Sequence, residues 1–166
     1  MKLKTMQLTR AAMFAALYVV LTYVSFLFGL SSGAIQFRIS EALCILPAFF
    51  PEAIPALFIG CALANLLTGS VIWDIVFGSL ASLIGAFGAY LLRNCKFKWL
   101  IPLPTVLANM VIVPAVIIFS MGAEGSFASY PYFALTVGIG EIVTAGVLGT
   151  VLYYTMQKLF EKQMHR

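Results

Sequence analysis

The stretch QFRISEALCILPAFFPEAIPALFIGCALANLLTG, residues 36–69, decides the fold class of this chain. Its charged residues are Arg38, Glu41 and Glu52, and almost everything else in it is apolar or small. The whole chain is similar, since 62% of its 166 residues are hydrophobic and only 10% are charged. Soluble domains carry about 45–50% apolar and about 25% charged residues. The chain is therefore predicted to be an integral membrane protein.

Six apolar segments follow one another and predict a single domain over residues 1–166. Crossing a hydrocarbon core takes about 20 helical residues, so the second segment must be short, tilted or extended backwards. The first segment is longer than the apolar core of a signal peptide, about 7–15 residues, and we read it as a retained span. The fold class predicted is an all-α bundle of six transmembrane helices. The segments are residues 8–30, 39–50, 51–67, 71–92, 99–121 and 130–156.

The basic residues predict the orientation of this bundle. A net charge of +4 would favour nucleic acid in a soluble protein, but in a membrane protein the distribution of lysine and arginine sets the topology. Every lysine and arginine except Arg38 falls into one of three clusters. The positive-inside rule places the three clusters and both termini in the cytoplasm. Residues 31–38, 68–73 and 122–130 are then outside and are candidate gates. The clusters are Lys2, Lys4 and Arg10; Arg93, Lys96 and Lys98; and Lys158, Lys162 and Arg166.

Arg38 and Glu41 form the first candidate site. They lie three residues apart, which on an α-helix puts them on one face within reach of an ion pair. A charged group near the bilayer centre costs roughly 2.5–3.5 kcal/mol, so such groups usually face a partner or a cavity. Either the two residues form an ion pair that neutralises both charges where the chain enters the membrane, or Arg38 holds the Glu41 carboxylate towards a ligand. The two roles are compatible.

Two further carboxylates lie within or beside predicted spans. Glu141 is surrounded by glycine and alanine, so it has room for a ligand ring or for the backbone of another helix. Asp74 stands next to Trp73 at the outer end of the fourth span. It is either a ligand contact or an acid favoured by the positive end of the helix dipole, beside an interfacial tryptophan.

Other polar groups complete the inventory. Asn65 and Asn109 are amides within spans, where a hydrogen bond between helices is the commoner role and ligand contact the alternative. Glu52 is expected at a cytoplasmic turn, solvated or paired with a partner protein. No zinc-protease, serine-hydrolase or ATP-binding motif occurs, and the three cysteines lack metal or disulfide spacing. We therefore predict neither an enzyme nor a cofactor or metal.

The first span carries two pairs of alanines in adjacent registers, Ala11 with Ala15 and Ala12 with Ala16. Small residues four apart let another helix approach closely. This face is a candidate for contact with a partner helix.

The blocks RISEAL, PEAIPALFIG and DIVFGSLASL, with the alanine-paired first span, resemble the S-components of energy-coupling factor transporters. Within these the chain is similar to the queuosine-precursor (QueT-like) family, over essentially its whole length. The resemblance implies a multi-pass substrate-binding subunit in a bacterial plasma membrane. Such a subunit is thought to topple in the bilayer on a transmembrane coupling protein that works with two ATPase subunits. The alanine pairs match the docking face of the family, in a register left open.

The implied substrate, 7-aminomethyl-7-deazaguanine or a close 7-deazaguanine, suits the polar inventory. Its guanidine-like edge carries two donors and its aminomethyl group a cation, and an ionised carboxylate only accepts hydrogen bonds. We expect Glu141 or Glu41 to take the guanidine-like edge and another acid, with Asp74 a candidate, to face the cation. Asn65 or Asn109 would read the remaining polar edge, Trp73 or Phe37 would cover the ring, and Arg38 would hold Glu41.

Two alternatives remain at this point. The chain could be an S-component for another vitamin or purine-like micronutrient, with the same scaffold and another ligand. It could also be a stand-alone permease coupled to protons through Glu141. An uncoupler would abolish uptake by the permease, whereas loss of partner ATPases would abolish uptake by an S-component.

Overall fold

The computed structural model of the chain describes residues 5–30, 36–122 and 125–164, with side chains to residue 162. Within these ranges the chain is all-helical, with no β-strand. The predicted outer loops are therefore described only in part, and Lys2, Lys4, His165 and Arg166 lie outside the described residues. The α-helices are α1 Thr5–Leu27, α2 Ala53–Leu67, α3 Ser79–Leu91, α4 Leu103–Ser120, α5 Tyr130–Glu141 and α6 Gly149–Met164.

Four continuous helical stretches are long and apolar enough to cross a membrane. They agree with the first, fourth, fifth and sixth predicted segments to within a few residues at most ends. The last is one continuous helix, in which the π-helical segment Ile142–Leu148 joins α5 to α6, and it runs beyond its predicted end at residue 156. The multi-pass membrane class is thus confirmed. The stretches are Thr5–Leu27, Asp74–Asn94, Lys98–Ser120 and Phe127–Lys162.

The second predicted segment is a 3₁₀ helix, Ile39–Ala48, which we call the central helix. 3₁₀ helices longer than 3–4 residues are uncommon. This one contains Pro47, which has no backbone N–H to donate to a helical hydrogen bond. At about 2.0 Å per residue, the 3₁₀ form makes a ten-residue segment longer than an α-helix would. Ser40 to Pro47 are all buried, so this helix forms the middle of the bundle.

Helix α1 buries polar side chains and exposes apolar ones, the reverse of a surface helix in a soluble protein. Its buried residues are Tyr18, Thr22 and Ser25, whereas Leu17 and Val20 are exposed. Lipid tails are as apolar as leucine, so exposed apolar side chains carry no penalty in a bilayer. The arrangement places hydrogen-bonding groups of α1 against the central helix and apolar groups towards lipid.

Glycines allow two pairs of helices to approach closely. A Cβ atom on Gly60 of α2 would lie 3.0 Å from the carbonyl oxygen of Ala15 in α1. A Cβ atom on Gly85 of α3 would lie 2.4 Å from Oγ1 of Thr105 in α4 and 2.7 Å from its Cα. Since one of these atoms is backbone, rotation of a side chain cannot relieve the second contact.

Replacing Gly85 by Ala is therefore expected to lower the free energy of unfolding by about 1–3 kcal/mol, the usual cost of overpacking a core. Gly146→Ala is the matched control, because the nearest atom to its added Cβ is 3.9 Å away. Thermal unfolding in detergent measures both. A Gly85→Ala protein as stable as the Gly146→Ala protein would contradict the close packing of α3 and α4.

One end of the bundle collects the described basic residues other than Arg38. Arg10 of α1 forms an ion pair of 3.0 Å with Glu52, in the turn after the central helix. Phe50 of the same turn contacts Phe160 of α6, with ring centroids 5.8 Å apart. The expectation that Glu52 is solvated is wrong, because Glu52 is buried and pairs within the chain with an arginine from α1.

Candidate functional site

Three helices and the segment before one of them enclose a small polar cavity at the other end of the bundle. Glu41 comes from the central helix, Asn109 and Val113 from α4, and Val137 and Glu141 from α5, while the segment before the central helix adds Gln36 and Arg38. The cavity is about 10 Å³, which is room for about one water molecule. We call it the inner cavity. It unites four of the residues predicted from the sequence: Arg38, Glu41, Asn109 and Glu141.

Glu41 is held in the inner cavity by a tyrosine from α1. The hydroxyl of Tyr18 donates a short hydrogen bond to Oε1 of Glu41. Both residues are buried, at 2% and 3% exposure. Since an unpaired buried charge is costly, this bond helps to keep the carboxylate inside the bundle, where Glu41 lines the inner cavity.

Glu141 and Asn109 have unused hydrogen-bonding capacity. Oε2 of Glu141 and Nδ2 of Asn109 are buried and have no hydrogen-bond partner among the residues that the structure describes. The Asn109 side chain lies near the carboxyl groups of both Glu41 and Glu141. Unsatisfied buried groups are rare in native structures. An acceptor and a donor that both lack partners beside one cavity are what a polar ligand requires.

Arg38 pairs with Asp74, at 2.9 Å between Nη2 and Oδ2. The predicted ion pair with Glu41 is therefore wrong. Arg38 is the residue before the central helix and has extended backbone angles, φ −104° and ψ 100°, so the spacing rule for side chains on one helical face does not apply to it. Both side chains of the actual pair are mostly buried, at 15% and 12% exposure.

A wider hollow lies next to the inner cavity and shares Arg38 with it. This outer hollow has a volume of about 210 Å³. It shares Gln36, Arg38 and Val113 with the inner cavity. Arg38 therefore borders both spaces, and its partner Asp74 borders the outer hollow. The other residues of the outer hollow are Ser70, Val71, Asp74, Val116, Ile117 and Ser120.

Asp74 and Glu141 both border irregular turns. Asp74 begins the π-helical turn Asp74–Gly78, and Glu141 immediately precedes the segment Ile142–Leu148. Single π-helical turns inside α-helices occur frequently at functional sites. Gly78 makes room for Asp74, since a Cβ atom there would lie 2.9 Å from its Oδ1.

The remaining predicted site residues lie outside the inner cavity. Nδ2 of Asn65 donates to the backbone oxygen of Asp74 at 3.0 Å, so Asn65 supports the turn that carries the acid. Trp73 is 52% exposed and stacks on Phe77 at 6.1 Å between ring centroids. Phe37 is half-buried, and its backbone N–H donates to the oxygen of Leu30 at 2.8 Å. Neither aromatic ring is among the described residues that line the two spaces.

Sequence reasoning missed Tyr18 and Gln36. Gln36 lines both spaces and is two residues before Arg38, but a polar residue before a span usually marks a loop. Tyr18 lies mid-span, four residues before Thr22, which is a weak sign of a polar face. Neither residue could be paired with Glu41 by spacing along one helix, and Tyr18 is 23 positions away from it.

The described residues hold no cluster of three or more His, Cys, Asp or Glu side chains that could bind a metal ion. The side chains that line the inner cavity offer hydrogen bonding and charge complementarity through carboxylate, amide and guanidinium groups.

The two alanine registers of α1 face different surroundings. Ala11 and Ala15 are half-buried towards α2, where Ala15 meets Gly60, whereas Ala12 and Ala16 are exposed. An apolar groove of about 390 Å³ runs between α1 and α2 near Glu52. Its apolar lining residues are Leu8, Ala11, Ala12, Ala15, Pro55, Ala56 and Ile59.

Comparison with known proteins gives two matches. The model of the family described as QueT transporter matches residues 8–158. The chain is also 34% identical over 150 residues to the queuosine precursor transporter QueT of Lactococcus lactis subsp. cremoris (strain MG1363), covering 86% of this chain and 88% of that protein. No solved structure shows significant similarity to the chain.

Proposed function

Because the chain belongs to the QueT transporter family, we propose that it captures a queuosine precursor in the inner cavity, between Glu41 and Glu141. The ligand is 7-aminomethyl-7-deazaguanine or a close 7-deazaguanine. The observation that carries this proposal is the unpartnered Oε2 of Glu141 beside the unpartnered Nδ2 of Asn109. These groups accept from and donate to a planar ligand that has both donors and an exocyclic oxygen.

The charge balance of the site favours a cationic ligand that is rich in donors. Arg38 is the one basic side chain among the residues that line the two spaces, and it is engaged by Asp74. Glu41 and Glu141 are then left without a basic partner in the described residues. One carboxylate can take the guanidine-like edge through paired charge-assisted hydrogen bonds, and the other can face the aminomethyl cation. Val113 and Val137 offer apolar contact to the ring.

Admission of the ligand requires the site to widen. An inner cavity of about 10 Å³ is far smaller than the roughly 300–1,000 Å³ of a small-molecule pocket. Parting Arg38 from Asp74 would join it to the outer hollow of about 210 Å³. We infer that the ligand enters from the outer hollow and that the ion pair opens as it does so.

The chain acts, in this proposal, as the S-component of an energy-coupling factor importer with six spans and both termini in the cytoplasm. The gathering of Arg10, the 92–100 turns and the end of α6 at one end supports this orientation. The exposed Ala12 and Ala16 register beside the apolar groove offers a docking face to a transmembrane coupling subunit. ATP hydrolysis then occurs on two partner ATPase subunits.

Binding to the purified chain tests the substrate. We expect tight binding of 7-aminomethyl-7-deazaguanine, and binding of guanine weaker by at least about 30-fold, since losing one partner of a buried charged hydrogen bond costs about 2 kcal/mol or more. The nitrile analogue and thiamine complete the set. Affinity for thiamine equal to that for 7-aminomethyl-7-deazaguanine would favour an S-component for another vitamin. No binding of any of these ligands by a folded sample would contradict the proposed substrate.

The buried Glu141 also suits a permease coupled to protons, because intramembrane carboxylates often form proton relays. Uptake by cells distinguishes the two functions. An S-component loses uptake when the partner ATPases are deleted, whereas a stand-alone permease keeps uptake without them and loses it with an uncoupler.

A further inference from the structure

Three hydrogen bonds join α1 to the central helix, and we call them the α1 ladder. Tyr18 Oη donates to Glu41 Oε1, and the hydroxyls of Thr22 and Ser40 are hydrogen-bonded to each other at 2.7 Å between their oxygens. The N–H of Ile39 donates to Ser25 Oγ at 3.0 Å. The α1 members are four and three residues apart, so they lie on one face of the helix. The ladder sets the position of the central helix relative to α1, and its first rung ends on a carboxylate of the inner cavity.

Tyr18 is the most constrained member of the ladder. Its side chain is 2% exposed, and its backbone oxygen accepts a hydrogen bond of 2.9 Å from Thr22. Helix α2 packs closely against Tyr18, since a Cβ atom on Gly60 would lie 3.0 Å from the Cβ of Tyr18. The phenol can therefore hold Glu41 at a fixed point, which a flexible donor such as lysine would not do.

We propose that Tyr18 is a positioning residue for ligand binding: its hydroxyl occupies Oε1 of Glu41 and so directs Oε2 to the ligand in the inner cavity. This inference rests on the proposed function. A carboxylate that is held in place loses less conformational freedom when the ligand binds. The ligand donor then meets an acceptor that is already oriented.

The test is a double-mutant cycle on the full chain, with 7-aminomethyl-7-deazaguanine as the probe. Tyr18→Phe keeps the buried ring and removes the hydroxyl. We expect it to weaken binding about 10- to 100-fold, the range for a hydrogen bond to a charged group. In a Glu41→Ala background the same change should have no effect, because Tyr18 then has no carboxylate to hold.

Thr22→Val is the matched control, since it removes the next rung of the ladder without touching a carboxylate. We expect Thr22→Val to bind the ligand as the wild type does, and its effect on thermal unfolding to be comparable to that of Tyr18→Phe. A role of Tyr18 in packing alone would lower stability without a loss of affinity that depends on Glu41.

Several results would overturn the inference. These are wild-type affinity in Tyr18→Phe, an equal loss from Tyr18→Phe in both backgrounds, or wild-type affinity in Glu41→Ala. The first two would leave the proposed function standing, provided the wild type binds the probe, whereas wild-type affinity in Glu41→Ala would also remove Glu41 from the proposed ligand site. Failure of the folded wild type to bind any 7-deazaguanine would overturn the proposed function and this inference with it.

Discussion

Glu141→Gln is expected to weaken binding of 7-aminomethyl-7-deazaguanine by about 30-fold or more, corresponding to about 2–5 kcal/mol for a buried hydrogen-bonded charge pair that loses one partner. Oε2 of Glu141 is buried without a partner among the described residues, so its hydrogen-bonding capacity is free for a ligand. The amide would remove the negative charge and place a donor where the ligand also donates. Equilibrium binding to the purified variant measures the loss.

Glu161→Gln is the control for this change. Glu161 is an exposed residue of α6 that accepts a hydrogen bond from Gln157, and its replacement should leave binding unchanged. The nitrile analogue adds a second comparison, because it lacks the cation. If Glu141 faces the aminomethyl group, Glu141→Gln should affect the aminomethyl ligand much more than the nitrile. Wild-type affinity in a folded Glu141→Gln protein would place the ligand elsewhere.

Arg38→Met is expected to destabilise the fold by about 3–5 kcal/mol, the usual result of removing one partner of a buried ion pair. Asp74 would then be a buried carboxylate without its guanidinium, in a region where both side chains are mostly shielded. Adding Asp74→Leu removes the stranded charge, and the double variant should recover at least half of the lost stability. Thermal unfolding in detergent measures the three proteins.

Arg93→Met is the matched control for the arginine. Arg93 lies over the ring of Tyr90 at 3.8 Å and forms no ion pair within the described part of the chain. A partly exposed cation–π contact contributes about 0.5–1 kcal/mol, so the control should lose much less. Equal losses in Arg38→Met and Arg93→Met, or no recovery in the double variant, would contradict a structural role for the Arg38–Asp74 pair.

Much of the site was predictable because burial of charge in a membrane is costly whatever the fold. Glu41, Asn109 and Glu141 stood out as polar residues within apolar segments, and the structure brings all three to one cavity. Asp74 stood out for the same reason and is the partner of the arginine that borders that cavity. The role of each in binding stays a prediction.

Partner choice was not predictable, as Arg38, Glu52 and Tyr18 show. Spacing along the chain suggested Glu41 for Arg38, but the actual partner is 36 positions away. Glu52 meets Arg10 of α1, and Tyr18 meets Glu41 from another helix. Local rules apply only within one regular helix, and in each case the contact joins separate elements.

The sequence by itself determined the membrane class, the approximate bounds of the helical segments and the family, because hydrophobicity, length and motif are properties of local stretches. Only the tertiary structure decided that the second segment is a buried 3₁₀ helix and that Ala11 and Ala15 face α2 while Ala12 and Ala16 stay exposed. It also decided which acids share a cavity. These outcomes depend on which helices lie side by side, and packing between distant segments sets that arrangement.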